Sequence, residues 1–313
     1  MPLRSPRAGR LDARQPFLRC EAIKAGLTDL ELSGPRFRQL FWGVHISASV
    51  APTLALRCRA ALLIAPSPAL LTHHTAAILW GATVPPSPAI HVGILAGARL
   101  RAEGITTHRY AGLPASARRN GLPVPTPEQT FLDLASWLSL VDLVVLGDSL
   151  VGQGVTTPQR LVDTSADAHG RGARLARRAA RLVRAGVDSP METRVRLLFV
   201  LAGLPEPVVN FAIRDETGRT MYRIDLSFPD LFLAIEYDGR HHIARQGQWR
   251  QDLARREELE SDGWRFVVLV AEDIYSTPEQ TLARLVNAFA ERGRRVRIRR
   301  EEWRRYFPGR QPG

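Results

Sequence analysis

The spacing of apolar residues changes along the chain, and each change predicts an element. From Pro16, PFLRCEAIKAGL carries the spacing of a short helix closed by Gly26; a second helix-like piece follows, and FRQLFWGVHIS alternates as a strand. Residues 54–80 give two helical runs parted by Pro66-Ser67-Pro68, with Thr72-His73-His74 opening the second. Residues 89–111 read as short strands with turns, and 126–150 as a helical pair with Thr126 as N-cap, Pro127 at N1, and the acids Glu128 and Asp133 following. A linker-like stretch spans 151–170, followed by the helix GARLARRAARLVRAG. The helix METRVRLLFVLAGL comes next, then two apolar runs around Pro229-Asp230 (IDLSFPDLFLAIEYD), the helix QWRQDLARREELESDGW, and a buried-strand run, WRFVVLV. The basic segment ERGRRVRIRREEWRRYFPGR closes the chain, as a flexible tail or as a non-specific nucleic-acid contact.

In the first stretch the elements fit a small winged helix-turn-helix, with Arg36, Arg38 and Trp42-Gly43-Val44 in the wing. Its second helical piece, TDLELSGPRF, is short, acidic and interrupted by Gly34-Pro35, which makes it a poor base reader. His73 and His74 point about 100° apart on a helix, which favours packing or capping over shared metal ligation.

A length of 313 residues predicts two or three domains, and the 45% apolar share is ample for buried cores. The net charge of +12 points to a polyanionic partner, nucleic acid or an anionic membrane surface. Lys24 is the only lysine, so the cations are arginines, a usage that coding bias or bidentate phosphate binding explains. Arg174, Arg177, Arg178 and Arg181 follow i, i+3, i+4, i+7, forming either a solvated helix face or a phosphate-tracking one. Cys20 and Cys58 lie far apart without CxxC spacing, so neither a disulfide framework nor a zinc site is expected, and a cytoplasmic location fits. The first fifteen residues carry no apolar core and no run approaches the ~18 residues of a spanning helix, so no export signal and no membrane partner are expected.

The chemistry concentrates in IDLSFPDLFLAIEYDGRHH. With Phe228-Pro229-Asp230-Leu231 as a turn, the flanking runs form an antiparallel hairpin that sets Asp225 opposite Ala234, with Glu236 and Asp238 on the same face. Carboxylates that close repel unless a cation or proton lies between them, and a carboxylate pair suits Mg²⁺, or Mn²⁺ in its place. Ser189-Pro190-Met191-Glu192 reads as a capping box with Glu192 at N3, and equally places a third acid near the metal. Gly239 lets His241 and His242 emerge beside the acids as candidate proton-transfer groups. On the next helix Arg255 and Arg256 either bind phosphate or pair with Asp252 and the helical glutamates.

SPMETRVR, RIDLSF, LAIEYDGRHH and DLARREELESDGWRFVVL, in that order, resemble the domain family allied to very short patch repair (Vsr-like) endonucleases, in the PD-(D/E)xK superfamily, over residues 187–290. The resemblance implies that Glu192, Asp225 and Glu236 hold a metal. Asp238 then fills the slot usually held by lysine, and His241 or His242 substitutes for that lysine, with Arg255 or Arg256 second. The front half, in its FRQLFWGVHIS, LLTHHTAAILWGA and VPTPEQTFLDLA segments, is more faintly similar to AbiEi-type antitoxins and transcriptional regulators over residues 16–165.

The expected architecture is an α+β N-terminal winged-helix region joined to an α/β restriction-endonuclease-like domain with a mixed sheet flanked by helices. Its divisions are a basic tail (1–15), a winged helix (16–85), an AbiEi-like middle (86–165), an arginine-rich connector (166–186), the nuclease domain (187–291) and a second basic tail (292–313). The expected function is metal-dependent cleavage of DNA phosphodiesters in bacterial defence, repair or toxin–antitoxin pairing, with a cognate toxin or repair partner. Asp225, Glu236, Asp238, His241 and His242 would be catalytic, and Arg255, Arg256, the four helical arginines, Arg36 and Arg38 would hold phosphates. The alternative is a non-catalytic DNA-binding regulator that retains the nuclease fold; Asp238 in the lysine slot and Val268-Leu269-Val270, where relatives often place an arginine, favour it.

Overall fold

A computed structural model describes residues 11–239 and 256–309, and the backbone divides into two units, Met1–Leu134 and Ala135–Gly313. The boundary falls inside the stretch expected as one middle region. Residues 140–166 fold with the C-terminal part of the chain, because their apolar faces pack on later helices of the second unit.

The first unit opens with β1 (Phe17–Leu18), α1 (Arg19–Lys24), α2 (Asp29–Leu32), β2 (Phe37–Phe41) and β3 (Val44–Ser47). The three strands form an antiparallel sheet in the order β1-β3-β2. FRQLFWGVHIS is thus a hairpin rather than one strand, turned at Trp42-Gly43 where Gly43 takes φ +75°. α2 is a single capped turn, with Thr28 accepting from the Glu31 amide and Glu31 accepting from the Thr28 amide.

α3 (Leu54–Ile64) leads to β4 (Ala69–Leu71), α4 (His73–Leu79), β5 (Ile90–Leu95) and β6 (Ile105–Tyr110). β4 lies between the two expected helical runs, just ahead of Thr72-His73-His74; its three residues pair with β5, and Leu70 and Leu71 are buried. β5 pairs β4 antiparallel and β6 parallel. The hairpin of β7 (Ser116–Arg119) and β8 (Leu122–Pro125) turns at Asn120-Gly121, φ 51° and 76°, the left-handed pair that a two-residue hairpin turn requires. α5 (Pro127–Leu134) starts at Thr126, whose hydroxyl accepts from the Gln129 amide.

The second unit begins with α6 (Leu140–Gly152), α7 (Pro158–Ala166), α8 (Ala173–Leu182) and α9 (Pro190–Ala202). α7 occupies the expected linker, capped by Thr157 with Pro158 at N1 and packed on α8. α6 is tied to α9 by a buried network in which Arg196 bonds Asp148 at 2.9 Å and Glu206 at 3.0 Å, while Asp148 also accepts from Thr193 and the Arg184 amide. Removing one member of such a pair strands a buried charge, so the network fixes the angle at which α9 is held.

α9 packs on a mixed four-stranded sheet built from β9 (Val208–Arg214), β10 (Thr220–Phe228), β11 (Leu233–Tyr237) and β12 (Arg265–Leu269), in the order β12-β11-β10-β9. β11 and β12 run parallel and the other pairs antiparallel, and the β11–β12 crossover includes α10 (256–261). Phe228 meets Phe199 of α9 and Phe289 of α12 (Pro278–Glu291), which comes after α11 (Ala271–Tyr275). A mixed sheet covered by helices is compatible with a restriction-endonuclease-like domain.

Beyond α12 the chain is not a free tail. Trp303 and Phe307 are each 1% exposed, and the amides of Arg299 and Arg300 both donate to the Ala202 carbonyl at the end of α9. Two aromatics in an arginine-rich segment are enough to anchor it. Among the described residues no helix is long and apolar enough to cross a membrane.

Candidate functional site

β10 and β11 register as Leu226 with Ile235, Ser227 with Ala234 and Phe228 with Leu233, so the next positions outward are Asp225 and Glu236. The expected partner of Asp225, Ala234, is therefore displaced by two residues. The connection is longer than a simple turn: Pro229–Leu231 form a 3-10 turn and Phe232 takes φ 49°. A shift of two preserves side-chain alternation and brings the acids of adjacent strands level.

Asp225 is half-buried and accepts from the Tyr237 amide at 3.3 Å. Burial pushes its carboxyl above the usual range against that hydrogen bond, and Asp188 adds to the rise. Glu236 accepts a hydrogen bond from the Tyr222 hydroxyl. Asp238 lies just past the strand end, exposed, with its amide bonded to the Leu269 carbonyl.

Glu192 lies in the first turn of α9 with 6% exposure. Its amide donates to Ser189 as a capping box requires, but its carboxylate accepts from the Asp188 amide, one residue before the cap. Burial pushes its pKa up to about 7, and the charges of Asp225 and Asp188 add to the rise. The structure thus brings Glu192 and Asp225 into one electrostatic neighbourhood and joins Asp188 to it. Sequence reasoning passed over Asp188 even though it sits directly before the cap signal. Glu272 of α11, also missed, acts with Asp238 on the Tyr237 hydroxyl, whose pKa is raised first by burial and then by Tyr275 and these acids.

His241, His242 and Arg255 lie outside the described residues. Arg256 bonds Glu260 at 3.1 Å and stacks 4.9 Å from the Phe266 ring, a helical ion pair over an aromatic face. The α8 arginines line a surface recess together with Arg300. In the first unit Arg36 lies against Phe37 and Arg38 reaches the Ala48 carbonyl.

The first unit also gathers four histidines. His73 stacks on His108 at 3.5 Å between ring centroids, His91 bonds His108 through ring nitrogens at 2.9 Å, and His74 lies 4.7 Å from His91. Beside them Asp133 accepts from Thr72 and Tyr110. These rings pack on one another, and among the described residues no set of three histidines, cysteines or acids is arranged to hold a metal.

Residues 208–289 match the REase_MTES_1575 family model, a restriction endonuclease-like family, and the match takes in Asp225 and Glu236 while starting beyond Glu192. Two proteins of Mycobacterium tuberculosis, the uncharacterized proteins MT2308 and Rv2248, are each 26% identical over 259 residues, 82% of this chain and 94% of theirs. That span exceeds the second unit, so the likeness extends into the first. The family match supports a nuclease domain of the PD-(D/E)xK type at the C-terminal end of the chain.

Proposed function

We propose that the C-terminal unit is a metal-dependent endonuclease acting on DNA. The observation that carries this reading is the buried carboxyl of Glu192, raised to about 7 by burial and by the neighbouring Asp225 and Asp188. Burial disfavours the charged carboxylate and the neighbouring acids add repulsion, and a proton or a cation relieves both; the cation is the case that carries chemistry. The donors are carboxylate oxygens, the class that Mg²⁺ and Mn²⁺ take. Because no three-residue set is ready-made among the described residues, the fit is to a carboxylate pair completed by waters and substrate phosphate.

Glu192 and Asp225 would be the pair that holds the ion, with Glu236 level with Asp225 on the next strand; when bound, the ion would activate water and offset charge on the phosphate. The Tyr237 amide fixes Asp225, and the Tyr222 hydroxyl orients Glu236. His241 or His242 moves the proton, with Asp238 at the strand mouth, and Arg255 holds the DNA backbone beside the cut. In the first unit the three-stranded sheet with two short helices supports a winged-helix role for Arg36 and Arg38 in holding DNA or a partner. The pairing of two such modules fits a defence, repair or toxin–antitoxin setting.

Asp225→Ala tests this on supercoiled plasmid with Mg²⁺, Mn²⁺ or EDTA. We expect nicking by the wild type with metal only, and a loss of at least about 100-fold in the variant with its circular dichroism unchanged. Equal nicking by both proteins would refute the reading. One observation favours a non-catalytic regulator instead: the lone lysine, Lys24, is in the first unit, and the slot it would fill holds exposed Asp238. Intact plasmid under every condition, from protein that still shifts DNA on a gel, would decide for that alternative.

A further inference from the structure

The closing segment 292–300 and α8 lie at the far end of α9 from the candidate active site. Glu192 sits in the first turn of α9 and Val200 to Gly203 end it, a separation of roughly 12 to 16 Å along the helix. The four α8 arginines and Arg300 ring a recess of about 450 Å³ floored by Leu182, Val200 and Leu201. Past the end of α9 a second hollow of about 610 Å³ is lined by Gly203, Leu204 and Pro205 and edged by Arg295, Arg297 and Arg299.

These arginines are held in place. Ala202 accepts from two successive amides of the segment at 2.9 and 3.1 Å, and Trp303 is buried just beyond. Gly203 takes φ 73°, and a Cβ there would stand 3.0 Å from that of Arg299, so the segment lies directly on the helix end. Arg178 is committed to Glu302 through two bonds of 2.5 and 2.6 Å. Arg174, Arg181 and Arg300 are exposed and make no side-chain hydrogen bond or ion pair among the described residues. Their guanidinium groups are solvated on a backbone held in place, and the acid that Arg300 acts on, Glu302, is already bonded to Arg178.

We propose that this two-hollow surface is a docking site for the DNA phosphodiester backbone, separate from the cleavage site and gripping duplex that flanks it. A single small anion would use one hollow. Arginines spread over roughly 10 Å of α8 and continued along a second segment match a polymer with regularly spaced charges. The proposal takes from the endonuclease reading only that DNA is the partner, and does not require cleavage.

The test is anisotropy of a labelled duplex with the full chain in EDTA, from 50 to 200 mM KCl. The wild type is compared with the triple variant Arg174→Gln/Arg181→Gln/Arg300→Gln and with a control triple, Arg99→Gln/Arg101→Gln/Arg118→Gln. Each lost phosphate contact should lower the salt slope by ~0.9. The first triple should therefore shed a slope of about 2.7, so that the wild type loses about 40-fold more affinity than it does across that salt range. The control should keep the wild-type slope.

An unchanged slope in the first triple, an equal loss in the control, or no binding by the wild type would overturn the proposal. So would a triple that loses only its binding to phosphatidylserine vesicles, which would assign the surface to a membrane. The nicking assay separates the two readings: cleavage dependent on Asp225 with an unchanged slope sinks the docking site alone, and a lost slope without nicking sinks the cleavage reading alone.

Discussion

At the scale of single residues, Glu192 is where stability and function pull apart. Its carboxyl is raised from an ordinary 4.5 to about 7, so its folded state binds a proton that the unfolded chain gives up. A raised carboxyl contributes its stability below 4.5 and loses it as pH climbs through 7. Glu192→Gln keeps an oxygen for the Asp188 amide and removes the charge. In EDTA it should therefore raise stability by about 3 kcal/mol at pH 8 and change little at pH 4.5. Urea melts at the two pH values check this, and equal shifts at both would show that the fold does not raise this carboxyl. Asp225 and Glu236 were legible because carboxylates in an apolar alternating run have no packing reason to be there. Asp188 was not, because its closeness to Asp225 depends on where α9 is pinned, and the Arg196 network that pins it joins residues far apart in sequence.

At the scale of elements, local signals were readable where the sequence carries its own stop and start chemistry. Ser189-Pro190 opens α9 and Gly203, with φ 73°, closes it, and the β10–β11 alternation identifies a hairpin. The register was missed by two residues because a 3-10 turn at Pro229–Leu231 lengthens the loop, and nothing in the alternation counts loop residues. The closing segment was misjudged for a different reason: its arginines dominate the composition, while its apolar anchoring rests on Trp303 and Phe307. Trp303→Ala should accordingly destabilise the second unit by about 3 to 5 kcal/mol. Trp303→Phe should fall well short of that, since the indole nitrogen has no hydrogen-bond partner to lose among the described residues. Chemical denaturation of the full chain measures both, and a neutral Trp303→Ala would mean that these aromatics do not anchor the segment.

At the scale of the whole molecule, the two units should answer acid differently. The net charge of +12 already opposes compaction as carboxylates are protonated. Burial, and then the neighbouring imidazoles, push His73 down to about 2, His91 to about 3 and His108 to about 4. Asp133, facing the same cluster, is raised by its own burial and shifts stability in the opposite sense. Each depressed histidine stays neutral in the folded state while the unfolded chain takes up a proton below 6.5, so its contribution is complete above that pH and falls as pH drops. These three groups give a slope of up to about 4 kcal/mol per pH unit between pH 6 and 4, with His74, also lowered by burial, adding to it and Asp133 offsetting part of it. Against a typical stability of about 5 to 15 kcal/mol, a loss of this size is a large fraction of the total, so the first unit should be markedly weakened by pH 5. The second unit, whose Glu192 is eased by protonation, gains from that group over the same range. Urea titrations at pH 6.5, 5.5 and 5.0 read the slope directly, and His73→Gln should remove about a third of it. Stability that stays flat from 6.5 to 5.0 would mean that the stacked imidazoles titrate as freely in the fold as out of it.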